Sequence, residues 1–299
     1  MLEADDPSPL CIACRLNRTI PNLEDPDNAR YWGRIEVAKR RLVSELLALG
    51  LPVKSKVDED AAHGLMFDFL RSPSQGPRVL TGHASGLITL NVEEADDAKR
   101  EKMRLDMRES YRTLLGHFRH EVGHYYWDRL VADGSWLQPF RVLFGDERAD
   151  YAAALKANYA NGPPADWPDR YISSYASTHP WEDWAETWAH YLHVVDTLGT
   201  AQGFGLDAGD IDGIIQPFER SALYAPDDAG AEHFLALINA WVEMTMVLNE
   251  LARSMGQPDF YPFVMSKPVV AKLQFVYLVV QDARGDGAAR KPSSSRAAA

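Results

Sequence analysis

Cysteine is almost absent from this chain of 299 residues, with Cys11 and Cys14 the only two. A disulfide framework is thereby excluded, and a pair at this spacing suits metal or redox chemistry better. Long apolar runs are missing too. The richest, Leu273 to Val280, falls far short of the roughly 20 residues a membrane helix needs. The acidic start, MLEADDPSPLC, has no apolar stretch of secretory-signal length. A cytoplasmic protein without membrane partners is expected. Positive charge is in deficit: 31 Lys and Arg stand against 43 Asp and Glu, a formal net charge of -12. The average surface repels polyanions, so nucleic acid is not an expected partner.

What is present is core-forming material. Hydrophobic residues make up 46% and aromatic residues 10% of the chain, enough to bury one large core or two modest ones without cross-links. From Asn28 to Gly50, Tyr31, Ile35, Ala38, Leu42, Leu46 and Leu49 recur at spacings of three and four, which predicts an amphipathic helix closed by Gly50. GLMFDFLR (Gly64 to Arg71) and GLITLNV (Gly86 to Val92) are short, apolar and partly alternating, and read as two strands of a small sheet. The second is expected at the sheet edge, where an extended peptide could pair with it. Beyond them the pattern is helical. One long helix or two abutting ones are expected from Ala95 to Ala132, then helices over Gly145 to Ala160, after Pro180, over the stripe Phe234 to Leu248, and over Lys267 to Ala283. The tail from 285 to 299 is poor in apolar residues and is expected to be disordered.

The stretch HFRHEVGHYYWDRL carries the chemistry. Its His120, Glu121 and His124 form HExxH. On a helix, positions i and i+4 share one face, so the two imidazoles can bind one Zn²⁺ at about 2.1 Å. Glu121 beside them suits a general base acting on metal-activated water. A solvated helix face is the plain alternative. A catalytic zinc wants a third protein ligand, and the metzincin pattern fails because Trp127 and Leu130 stand where glycine and histidine are needed. Two glutamates are open as the third ligand: Glu147, followed four residues on by Tyr151, and Glu182, followed four residues on by Glu186. An acid one turn after the ligand can fix a ligand histidine's tautomer. His117, His179, His190 and His193 read as ordinary core or surface histidines.

The segment SYASTHPWEDWAETW is similar to the ligand segment of gluzincin metallopeptidases related to anthrax lethal factor, with Tyr175, Glu182 and Glu186 at the matching positions. Over most of its length the chain also resembles a bacterial family of zinc-binding metallopeptidases that carry an N-terminal zinc ribbon. The stretches that carry this are CRLNRTIPNLEDPDN, LLGHFRHEVGHYYWDRL, FGDERADYAAAL and HPWEDWAETWAHYLH. The resemblance implies a mostly helical α+β, zincin-like (gluzincin) domain with a small β-sheet. It implies one catalytic Zn²⁺ held by His120, His124 and Glu182, with Glu121 as general base, Tyr175 steadying the oxyanion and Glu186 supporting a ligand. Peptide or protein would be the substrate. One departure stands out: two cysteines leave a four-coordinate ribbon site half filled. The implied organisation is a ribbon remnant at 1–20, a metallopeptidase domain at 21–284 and the tail at 285–299. A non-catalytic zinc-containing peptide-binding or protein-binding module is the rival reading, and a redox or structural zinc protein working through Cys11 and Cys14 is a further one.

Overall fold

In a computed structural model, which describes residues 6, 8–73, 75–106, 109, 111–211 and 217–285, the chain is an α+β protein, mostly helical with one small sheet. The tail from 286 onward, expected to be disordered, lies outside the described residues. The elements run α1 (Ile12–Arg15), β1 (Asn17–Thr19), α2 (Pro26–Ala48), β2 (Met66–Leu70), β3 (Gly82–Ala84), β4 (Leu87–Asn91), α3 (Asp97–Asp106), α4 (Leu114–Leu130), α5 (Leu137–Leu143), α6 (Tyr151–Asn161), α7 (Trp167–Arg170), α8 (Pro180–Gly203), α9 (Ala231–Ser254) and α10 (Lys267–Ala283).

Helix α2 begins where the side chain of Asp25 accepts hydrogen bonds from the backbone N–H groups of Asp27 and Asn28, with Pro26 in the first turn. Its stripe of Tyr31, Ile35, Leu42 and Leu46 is buried in one continuous core. The sheet order is β1-β2-β4-β3: β1 and β4 flank β2 in parallel, and β3 runs antiparallel to β4. The strand expected at the edge, β4, is therefore interior. The edge belongs to β3, three residues long and without the hydrophobic run that marks a strand in sequence. Strand β1, equally short, also escapes such a reading.

The helical stretch before the motif resolves into α3 and α4, and the described residues between them, 109 and 111–113, are not helical. Thr113 caps α4 by accepting from Gly116 N–H at 3.0 Å. Helix α6 starts at Tyr151 rather than Gly145, because Gly145 adopts φ 109° and Asp150 is the residue that caps it, accepting from Ala153 N–H. A Cβ at Gly145 would lie 3.0 Å from Pro180, the first residue of α8. Helix α9 is long and apolar enough, by length and composition, to cross a bilayer. A third of its most apolar window is buried, and the helix packs against α8 and α10.

Helices α4 and α8 form the most extensive helix pair and position the site. Gly123 sits at their crossing, where a Cβ would meet Ala185 Cα at 3.1 Å and Trp188 Cβ at 3.2 Å. Trp184 fixes the register by donating its indole N–H to Gly123 O at 2.8 Å.

Candidate metal centre

Helix α4 presents His120 and His124 one turn apart, and α8 brings Glu182 from its first turn onto the same point. The start of α8 is anchored by His179, whose Nδ1 accepts from Trp181 N–H at 3.1 Å while its Nε2 lies 3.1 Å from Ala149 O. This pattern fixes the tautomer with the hydrogen on Nε2. Three ligand-type atoms converge. His120 Nε2 lies 3.2 Å from His124 Nε2, and Glu182 Oε2 lies 3.0 Å from the first and 3.5 Å from the second. Tetrahedral ligands about 2.1 Å from a zinc ion stand about 3.4 Å apart, so the three spacings match one face of such a site.

The surroundings fit the same group. Glu182 is 1% exposed, and its Oε2 is a buried acceptor with no hydrogen-bond partner, its contacts with the two imidazoles having the distance but not the angles of hydrogen bonds. An orphan carboxylate oxygen facing two imidazole nitrogens calls for a positive centre between them. Burial pulls the Glu182 carboxyl upward, yet the two imidazoles outweigh it and hold the group well below the ordinary carboxylate range. Glu186 Oε1 stands 2.7 Å from His120 Nδ1, and Ser173 donates to Glu186 Oε2 at 2.6 Å. A carboxylate can only accept, so Nδ1 carries the hydrogen, which leaves Nε2 to turn its lone pair to a metal ion when one is bound. Trp181 packs on His124 with ring centroids 4.0 Å apart.

Glu121 is 8% exposed and lines a cavity of about 590 Å³ together with His120, Tyr175 and Glu186. Burial pushes its carboxyl up, and the nearby imidazoles only partly oppose that. Tyr175 lies in a 3-10 turn, Tyr175–Thr178, with its ring 6.0 Å from that of His120. Burial first and the Glu182 charge second keep its phenol protonated far above the usual range.

Of the two glutamates left open by spacing, Glu147 is drawn away into an ion pair with Arg141. The residue four positions after it, Tyr151, does reach the site, donating to Glu182 Oε1 at 2.5 Å. Sequence reasoning passed over Tyr151 and Ser173. Tyr151 lies within a stretch that carries the family resemblance, FGDERADYAAAL, which was its one signal. Neither Cys11 nor Cys14 belongs to this cluster: they share a helical turn, Sγ to Sγ 3.4 Å, both free. Among the described residues, His120, His124 and Glu182 are the one group of three or more His, Cys, Asp or Glu side chains placed to hold a metal ion.

Fold and site together define an α+β, mostly helical protein with a buried side-chain cluster able to hold a divalent cation. More particularly, the chain belongs to the family described as "Putative zinc-binding metallo-peptidase", whose model matches residues 28–279. It is also similar to uncharacterized proteins of Mycobacterium tuberculosis and Mycobacterium bovis, each 44% identical over 287 residues, 96% of this chain and 80% of theirs. No solved structure matches it.

Proposed function

We propose that the chain is a zinc-dependent metallopeptidase of the gluzincin type that hydrolyses peptide bonds. The observation that carries this reading is the meeting of His120, His124 and Glu182 at spacings of 3.0 to 3.5 Å, with Glu121 beside them at the head of a cavity. A zinc ion bound by these three side chains supplies Lewis acidity and lowers the pKa of a water to about 7.

Glu121 is the general base. Its carboxyl is raised by burial, which brings its basicity nearer to the working pH, and it takes a proton from the attacking water and returns it to the leaving amine. Tyr175, protonated throughout the working range, donates to the developing oxyanion. Tyr151 and Glu186 position rather than react: the first holds Glu182, the second holds His120. Strand β3, at the sheet edge and packed beside α4, is the strand with which an extended peptide pairs through main-chain hydrogen bonds. The catalytic domain spans 21–284, and residues 1–20 with the Cys11 and Cys14 pair are a ribbon remnant that takes no part in the reaction.

The test is cleavage of an unfolded protein substrate by the zinc-loaded chain, compared with Glu121→Gln. The expected result is loss of turnover by at least about 100-fold with zinc still bound. Equal turnover in the two proteins would sink the assignment, and no turnover in either would return the chain to the class of zinc-containing binding modules.

A further inference from the structure

The cavity that begins at Glu121 and Tyr175 does not stop at the metal cluster. It follows one face of α8 through Glu186, Ala189 and His190 to His193. From Glu182 to His193 is eleven residues, about 16 Å along a helix, so the space runs well beyond the reacting atoms. Its far end is a nest of rings set edge to face. Tyr111 lies 5.4 Å from His193 at 88° and 6.0 Å from Phe263 at 69°, and His190 lies 4.4 Å from Phe263 at 79°. Walls of this kind favour another aromatic ring.

The polar group at that end has a defined sense. Arg119 Nη1 stands 2.5 Å from His193 Nδ1. A guanidinium only donates, so Nδ1 accepts; burial, helped by the Arg119 charge, keeps the ring neutral, and the hydrogen therefore sits on Nε2. That N–H lies beside Gly116, which itself lines the cavity: a Cβ there would lie 3.9 Å from His193 Nε2 and 3.3 Å from Tyr111 Cε1. Absence of a side chain at 116 leaves this donor open to the cavity, and it has no acceptor among the described residues.

We propose that this cavity is the specificity pocket of the site and takes a tyrosine side chain of the substrate, its ring packed against the wall of Tyr111, His190 and Phe263 and its phenol oxygen accepting from His193 Nε2. This deepens the peptidase reading and rests on it. The other side chains fit less well. Phenylalanine and leucine bring no acceptor, while the tips of tryptophan and lysine are donors only. Acidic side chains meet Glu109 and Glu186 in the cavity wall, and Arg112 is already engaged by Glu109 and Glu94.

The experiment measures binding without turnover. Acetyl-Ala-Xaa-Ala-amide peptides, with Xaa as Tyr, Phe, Trp, Leu or Lys, are titrated by calorimetry into the full chain carrying Glu121→Gln and loaded with zinc. Tyrosine should bind tightest, about 5- to 10-fold over phenylalanine, as one hydrogen bond supplies. In Ala189→Leu, which fills the cavity, that peptide should lose at least about 10-fold in affinity with zinc content unchanged. Phenylalanine binding as well as tyrosine, lysine or leucine binding better, no peptide binding at all, or indifference to Ala189→Leu would each overturn the proposal. The Tyr-to-Phe ratio needs no change in the pocket, so misfolding of the filled variant cannot rescue or ruin it. Failure of the peptidase reading shows separately, as a tyrosine peptide that binds and that the wild-type chain never cleaves.

Discussion

Two of the three donors in the cluster, His120 and Glu182, are each held by one further side chain, and these are the cheapest places to test the site. Removing the carboxylate from Glu186 leaves His120 Nδ1–H without its anion, so Glu186→Ala should weaken zinc binding by about 10- to 100-fold. Competition with a chelator of known affinity measures it, and an unchanged constant would remove Glu186 from the site. Tyr151→Phe deletes only the hydroxyl that donates to Glu182 Oε1. Zinc affinity should fall while the melting temperature of the metal-free chain stays close to wild type, since the ring itself remains. At this scale the site was legible as far as local spacing carries. HExxH needs only one helical turn, and the step from Glu182 to Glu186 is again one turn. Tyr151 and Ser173 join through contacts 31 and 13 positions away in sequence, and no periodicity encodes those. Glu147 was open for the same reason, until its ion pair with Arg141 removed it.

Helix packing sets how well the three donors meet. Gly123 lets α4 and α8 approach, with a hypothetical Cβ already 3.1 Å from Ala185 Cα, so Gly123→Val must push the helices apart. Both zinc affinity and thermal stability should drop together, the latter by about 1–3 kcal/mol. A variant with normal zinc affinity would mean that the crossing does not set the site. Long elements with clear periodicity were legible from sequence: α10 runs over the expected Lys267–Ala283, and α2 starts two residues before the expected Asn28 because Asp25 supplies the cap. Short ones were not. Strands β1 and β3 owe their conformation to the neighbours that pair with them, and the exchange of edge between β4 and β3 is a fact of topology that no single strand carries.

Buried ionisable groups tie the whole molecule together and give it a pH signature. Lys272 of α10 meets Asp183 of α8 at 2.6 Å and donates to Arg170 O, deep in the core. Burial, only partly offset by Lys272, pushes Asp183 up to about 7. Lys272→Met strands that carboxyl, and unfolding by urea should show a loss of about 3–5 kcal/mol at neutral pH. His190, against Tyr261 at 2.7 Å, is pulled down by burial to about 4. Its folded value lies below the unfolded value of about 6.5, so the unfolded chain binds more protons between these limits and stability falls as pH drops from about 6.5 toward 4. In the metal-free protein, His190→Gln should lose about 2–3 kcal/mol less than wild type between pH 7.5 and 4.5. Half-buried His83 and His117, also lowered, keep part of the slope in both proteins. An identical slope in the variant would contradict the assignment of that neutral ring. The central claim, that α4 and α8 close a zinc site from His120, His124 and Glu182, is tested most directly by elemental analysis of bound zinc per chain in wild type and Glu182→Ala purified side by side. The account predicts about one zinc in wild type and a clear drop in the variant. Zinc absent from wild type, or equally present in both, would contradict it.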